Sequence, residues 1–499
     1  MNHLALPALS LVPPLLAIGC ALWTQQVFPS LLLGLWSGYV IIAGGDPLTG
    51  SLETINALVD VFKSAGNTRT IIFSALMGAL ILLMQRSGGV KGFVELISLR
   101  LRRARHDESV ARRSTQVMTI IVGALVFIET TISVLVVGTL FRPLYDRLKL
   151  SRERLAFLAD STSAPVSVLL PLNAWGAYLL SLLSLQPEVE APLATLLASI
   201  PLNLYAISAL AVCVWIALGG RAWGPLVQAD LRAERGEVLN EGAQPVVSAE
   251  LTELEPLEGV EAAASSLLIP LCTLVIVMPI TLFYTGWPSL EVQHEKGLSE
   301  LGNKLYFALS EGSGSMAVLT AVCAALLVAG GLYRARGIMN MKRFVDLSLS
   351  GIGGLMPLAL MMVLAFALST LCKSLGTGPY VAQLCQGSIP SFLFPVSTFL
   401  VSAFIAFATG TSWGTFAIMI PIAAPLAAAG GLPQALLLSA VLGGGVFGDH
   451  ASPISDTTLV SSMAAATDHL DHVKTQLPFA LFAAAIASAF YLLMGVIYV

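Results

Sequence analysis

Long apolar runs recur along this chain from its first residues to its last, as in 4–23, 70–84, 267–283 and 479–499. Runs of this kind approach the ~20 residues that a helix needs to cross the hydrocarbon of a bilayer. The pattern predicts spanning helices near 4–23, 27–44, 68–86, 154–185, 200–219, 265–285, 313–333, 351–372, 433–466 and 475–498. Two further apolar segments, 115–141 and 392–427, carry polar residues near their middles. Residues 220–264 break the pattern. Three basic and nine acidic residues without apolar periodicity predict a flexible acidic linker there. It divides an N-terminal membrane region, 1–219, from a C-terminal one, 265–499.

The polar interruptions come in matching pairs. FIETTIS (127–133) is followed by ADSTSAPVSVLLP (159–171), and FATGTSWGT (407–415) by GDHASPISDTT (448–458). A carboxylate deep in a bilayer costs on the order of 3 kcal/mol even on the lenient insertion scale, so Glu129, Asp160, Asp449 and Asp456 need a reason to be there. Interrupted segments at corresponding places in two halves point to the midplane site of a secondary transporter.

Loop charge adds a topology. Residues 86–114 hold eight Lys/Arg against three acids, and 142–154 hold five against two, so both loops are expected on the cytoplasmic side. Only the segment 115–141 joins them. A single span cannot begin and end on one side, which predicts a re-entrant hairpin with its tip at Glu129-Thr130-Thr131. Polar backbone at such a tip is tolerated only where protein or a wet cavity covers it. The segment 392–427 matches it, with Thr409–Thr415 near its middle. One span, 351–372, separates it from the basic stretch Arg334–Arg343, so it enters from the opposite face. The expected fold is therefore an all-α polytopic membrane protein. Two inverted repeats each hold a re-entrant helical hairpin and a broken transmembrane helix, with both termini outside.

Composition agrees with this class. Mean hydropathy is +0.82, and 56% hydrophobic against 11% charged residues leaves no room for a sizeable soluble domain. The net charge of −4 implies no nucleic-acid partner, and Met1-Asn2-His3 does not read as the start of a signal peptide. The six cysteines are scattered without paired spacing, which reads as small buried hydrophobes and not as a disulfide frame or metal site.

The tips and breaks carry the chemistry. Thr130, Thr131 and Ser133, then Thr409, Thr411, Ser412 and Thr415, supply hydroxyl oxygens, and Gly410 and Gly414 allow tight turns with exposed carbonyls. A single Ser or Thr in a membrane helix usually bonds back to its own helix or to a neighbour. Two clusters, each followed by an acid and a proline, point instead to oxygen ligands for a hard cation such as Na+. In the breaks, Pro165 and Pro453 remove backbone donors and free carbonyls beside Asp160 and Asp449. A buried carboxylate favours its neutral form and a bound cation favours the charged one, so a single group can hold either H+ or Na+. Asp160 and Asp449 are the Na+ candidates. Asp449 and Asp456, seven apart, would share a face if the helix continued through Pro453. His450 stands beside Asp449 either to relay protons or to orient the acid. His469 and His472 read as a solvated connection before the last span. Trp175 and Trp413 either pack near the site or anchor at the interface.

FATGTSWGTFAIMIP followed by VFGDHASPISDTT resembles the C-terminal signature of the NhaC family of bacterial sodium/proton antiporters. LAFLADSTSAPVSVLLPLNAWGAY (155–178) is similar to the corresponding stretch in its larger members. The resemblance covers essentially the whole chain. It implies the fold of the ion-transporter superfamily, in which hairpin tips and helix breaks jointly bind Na+ and substrate. The matching positions are Glu129, Thr130 and Thr131 in the first tip and Gly410, Thr411 and Ser412 in the second. In the breaks they are Asp160, Ser163 and Pro165, then Asp449, Ser452, Pro453 and Asp456. Members differ, some exchanging Na+ for H+ and others resembling carriers of organic acids or amino acids.

The leading expectation is a Na+/H+ antiporter of the bacterial inner membrane, with Na+ as cargo and no resident cofactor. The alternative is a Na+- or H+-coupled carrier of a small carboxylate or amino acid. A homodimer in the bilayer is compatible with either. An intramembrane enzyme needs two close buried aspartates. Gly445–Asp449 misses a Gly-x-Gly-Asp pattern by one position, and Tyr145-Asp146 lies in a basic loop. A channel would need a repeated pore-lining filter that no segment offers.

Overall fold

The computed structural model describes residues 6–24, 26–102, 108–125, 127, 130–171, 173–245, 256–257, 259–289, 292–293, 301, 304, 307–308, 312–386 and 389–499. The regular elements among them are all helices, and eight are long and apolar enough to cross a membrane. The chain is a multi-pass membrane protein.

The segment 115–141 folds as two helices, Glu108–Leu125 and Thr130–Arg147, broken at the expected tip. Their cross-bonds run in antiparallel order. Ser133 Oγ donates to Gly123 O at 3.0 Å near the tip, Thr119 Oγ1 meets Tyr145 OH at 3.2 Å, and Arg112 Nε donates to Leu148 O at 2.9 Å at the base. Both outer ends of this hairpin therefore lie together, as loop charge requires. The second hairpin pairs Phe394–Thr409 with Ser412–Gly430. Gly410 turns its tip in a left-handed conformation (φ 69°), where any Cβ would be strained and would also press on the Ile454 carbonyl. At its far end Gly430 packs on the Phe394 ring.

Each hairpin is followed by a broken helix. The first consists of Arg152–Ser161 and Ala164–Leu169. The single span expected over 154–185 is in fact three pieces, because Asn173 starts a third helix, Ala174–Ser184, by accepting from Gly176 N at 3.1 Å. Pro165 and Pro171 lack the N–H groups that would have joined the pieces. The second broken helix consists of Gln434–Ala451 and Asp456–Ala465. Asp449 and Asp456 thus fall on opposite sides of a break and do not share a continuous helical face. Gln434–Ala451 packs along Phe394–Thr409, and a Cβ at Gly448 would overlap the backbone of Ala406 and Phe407.

The segment expected to be a flexible linker is ordered in part. Pro225–Glu234 is a helix whose Leu226, Ala229 and Ala233 are buried. Its charged face pairs with the start of the first broken helix, Arg154–Asp230 at 2.5 Å and Glu153–Arg232 at 2.5 Å. Apolar residues three and four apart sit on one face of this short stretch. The many acids around it obscured them.

Candidate functional site

The tips and breaks converge through hydrogen bonds. Asp449, 3% exposed, lies one turn before the second break. Its Oδ2 accepts from Ser412 Oγ of the second tip at 2.7 Å. Its Oδ1 accepts from Ser455 Oγ at 2.7 Å and Thr457 Oγ1 at 3.4 Å, both beyond the break. Through these three hydroxyls Asp449 ties the second tip to the second break.

Asp160, fully buried, ends the first half of its broken helix. Its Oδ2 accepts from Gln476 Nε2 at 2.6 Å and Thr458 Oγ1 at 3.1 Å. Its Oδ1 is buried and has no hydrogen-bond partner among the described residues. Thr458 Oγ1 also stands 3.1 Å from the Asp449 carbonyl. A hydroxyl has one proton to give, so Thr458 serves one aspartate at a time.

The first break is stitched to the first tip in the same manner. Ser163 Oγ donates to Thr130 O at 3.0 Å, and Phe127 O receives Ser167 Oγ at 3.3 Å and Asn173 Nδ2 at 3.2 Å. The two halves meet at further points. His450 lies between Ser161 Oγ (Nε2, 2.9 Å) and Tyr205 OH (Nδ1, 2.8 Å), so its ring turns to the first half and not to the Asp449 carboxylate. Tyr178 OH donates to Trp413 O at 3.0 Å, while Trp175 lies edge-on to both Trp413 and Phe416 at 5.7 Å. The two tryptophans pack beside the second tip and do not anchor at an interface.

Other expected positions fare differently. Thr130 is buried and begins the second helix of its hairpin. Pro165 is buried. Ser452 is buried and accepts from Ile454 N at 3.3 Å, a local turn bond. Thr411 precedes the helix Ser412–Gly430 and its side chain caps no N–H. Pro453 is exposed, and its carbonyl accepts from His469 Nε2 at 2.7 Å. Asp456 begins a helix, but its side chain lies outside the described residues, as do the Thr131 side chain and all of Glu129.

Sequence reasoning missed Thr458, Gln476, Ser161, Tyr205 and His472. The expected solvated reading of His472 is corrected: it is fully buried. Asp468 caps the last helix, His469–Tyr498, by accepting from Leu470 N and Asp471 N, so His472 already lies one turn inside it. The signal was the spacing of His472 and Gln476, four apart on one helix face, with Nε2 and Oε1 at 2.8 Å.

Paired hairpins and broken helices around two buried carboxylates define a membrane transporter. The chain belongs to the Na+/H+ antiporter family, whose model matches residues 1–198 and 185–496. It is 31% identical over 98% of its length to an uncharacterized protein of Haemophilus influenzae, covering 91% of that protein. A Bacillus subtilis malate-2H(+)/Na(+)-lactate antiporter is 34% identical over 21% of this chain and 23% of its own length. The crystal structure of the Alcanivorax borkumensis YdaH transporter shares the fold. Its TM-score is 0.57 at 14% identity, over 97% of this chain and 98% of that one.

Proposed function

We propose that this protein exchanges Na+ for H+ across the inner membrane of a bacterium, with Asp160 and Asp449 as the cation- and proton-holding groups. The observation that carries the reading is the Asp160 carboxyl. Gln476 donates into Oδ2, joined by Thr458 when its hydroxyl turns to this side, which makes that oxygen an acceptor and leaves buried Oδ1 for a proton or a cation. A buried polar atom without a partner costs on the order of 1–3 kcal/mol, so occupancy of Oδ1 by one ion or the other is favoured at every stage. Exclusive occupancy is what antiport requires. Ser412, Ser455 and Thr457 hold Asp449 beside the unwound break, where a hard cation finds oxygen ligands. The same reading treats the two hairpin-and-break units as inverted repeats and gives the protein no resident cofactor.

A second reading has one observation in its favour. The helix Ser412–Gly430 starts without a side-chain cap from Thr411, and a helix start of this kind suits a carboxylate ligand. A small organic acid bound there would make the chain a coupled solute carrier, in line with the activity that the Bacillus subtilis relative's name describes.

Purified protein in liposomes loaded with a pH dye separates the two. Challenge with Na+, Li+, K+, organic anions and amino acids should show proton movement with Na+ alone. Proton movement that appears only when an organic solute is present would replace exchange with the second reading.

A further inference from the structure

Below Asp160, two histidines of the last helix share one hydroxyl. Ser462 Oγ lies 3.0 Å from His469 Nδ1 and 2.8 Å from His472 Nδ1. The tautomers of both rings follow from their other partners. His469 Nε2 faces the Pro453 carbonyl at 2.7 Å, which only accepts, so this nitrogen carries the proton. Gln476 Nε2 faces Asp160 Oδ2 and the His450 carbonyl, both acceptors, so its amide oxygen is turned to His472. His472 Nε2 must then donate as well. Both Nδ1 atoms are therefore lone pairs aimed at a hydroxyl with one proton; His472 Nδ1 also lies 3.5 Å from Ser461 Oγ, whose own proton has a much shorter bond to the Thr458 carbonyl at 2.9 Å. The Thr458 carbonyl competes for that proton at 2.8 Å.

The arrangement is short of one proton, and one added proton completes it. With either Nδ1 protonated, that N–H donates to Ser462 Oγ, and the hydroxyl proton turns to the other Nδ1. The Thr458 carbonyl keeps Ser461 Oγ as its donor at 2.9 Å. We propose that His469, Ser462 and His472 form a binding site for a single shared proton. Its use as the inner proton-loading station of exchange rests on the Na+/H+ reading; the site itself does not.

Access and surroundings fit this role. His469 is partly exposed, whereas Ser462 and His472 are 1% and 0% exposed. The entrance lies at the end that carries the basic loops, because Arg152 donates to the Ala466 carbonyl at 2.9 Å. Among the described residues, the charged and titratable groups on the elements packed around the pair include Arg152, Glu153 and Asp160 from the first broken helix, His450 from the second, and Asp468, Asp471 and Lys474 beside or on the last helix. Arg152 is paired with Asp146, Asp468 is held by backbone N–H groups, and Asp471 lies 4.0 Å from Lys474. Asp160 is reached from His472 through the Gln476 amide. That amide relays the polarity of His472 to Asp160 but carries no proton itself.

Nitrogen-15 NMR of histidine-labelled protein in detergent tests the site directly. As pH is lowered, the two Nδ1 atoms should take up one proton together, in one coupled step. Ser462→Ala should uncouple them and Ser462→Thr should keep the coupling. Independent titration of the two rings in the wild type, or coupling that survives in Ser462→Ala, overturns the proposal. In liposomes Ser462→Ala should slow Na+-driven proton movement by about a hundredfold while isotopic Na+/Na+ exchange continues and Ser462→Thr restores the rate. A Ser462→Ala protein with wild-type proton movement and pH profile removes the site's role in loading. A wild type that shows the coupled step yet moves no protons with Na+ alone supports the site and refutes the exchange reading.

Discussion

Asp449→Asn separates the structural from the ionic role of this residue, because the local geometry can accept the amide. In the wild type Ser412 and Ser455 each donate to the carboxylate at 2.7 Å. An asparagine at 449 keeps one oxygen toward Ser455 and presents its NH2 group to Ser412 Oγ. The Ser412 proton then turns to the Gly445 carbonyl, which stands 3.2 Å away. The Ser412 and Ser455 hydroxyls each keep a hydrogen bond to residue 449. Three charge-assisted bonds become neutral ones, and the two short ones dominate at about 1 kcal/mol each, so the folded state weakens by roughly 2 kcal/mol. Na+ affinity responds much more, since the charge that balances the cation is gone. A loss of at least about a hundredfold, close to 3 kcal/mol, is expected. Isotopic Na+ binding to purified protein, read beside a thermal unfolding curve, gives both quantities. Na+ affinity within about threefold of wild type would refute Asp449 as a cation ligand. An unfolded variant would refute the hydroxyl reversal.

Two further outcomes follow from the packing and the topology. Cysteines at Ser114 and Asp146 should both react with an impermeant reagent from the cytoplasmic face; labelling from opposite faces would contradict the hairpin. Gly448→Ala forces a methyl against the backbone of Ala406 and Phe407 and should destabilise the protein by about 1–3 kcal/mol in thermal unfolding, whereas a neutral effect would show that the two helices can separate.

The sequence made the helix breaks legible because proline and glycine act locally. Pro165, Pro453 and Gly410 stand beside acids and hydroxyls, which sets them apart from prolines such as Pro143 and Pro357 that lie inside continuous helices, and acids among apolar residues stand out without a structure. The hairpin at 115–141 was legible for another reason, since a span bounded by two basic loops cannot cross. The partners of the acids were hidden. Thr458 and Gln476 lie 298 and 316 residues from Asp160 in the chain, and nothing in their neighbourhood marks them as its donors. His472 was read as solvated because Asp468-His469-Leu470-Asp471-His472 is polar by composition. The capping by Asp468 makes the stretch a helix, and a helix has a buried side. The linker helix was missed for the converse reason, as acids surrounding Leu226, Ala229 and Ala233 masked their common face.

The central claim is that H+ and Na+ exclude one another at Asp160 and Asp449. Proton release on adding Na+ to lightly buffered purified protein tests it without a membrane or a gradient. The account predicts about one proton released for each Na+ bound, and no release from Asp160→Asn. Na+ binding without proton release, or release that persists undiminished in Asp160→Asn, would contradict it.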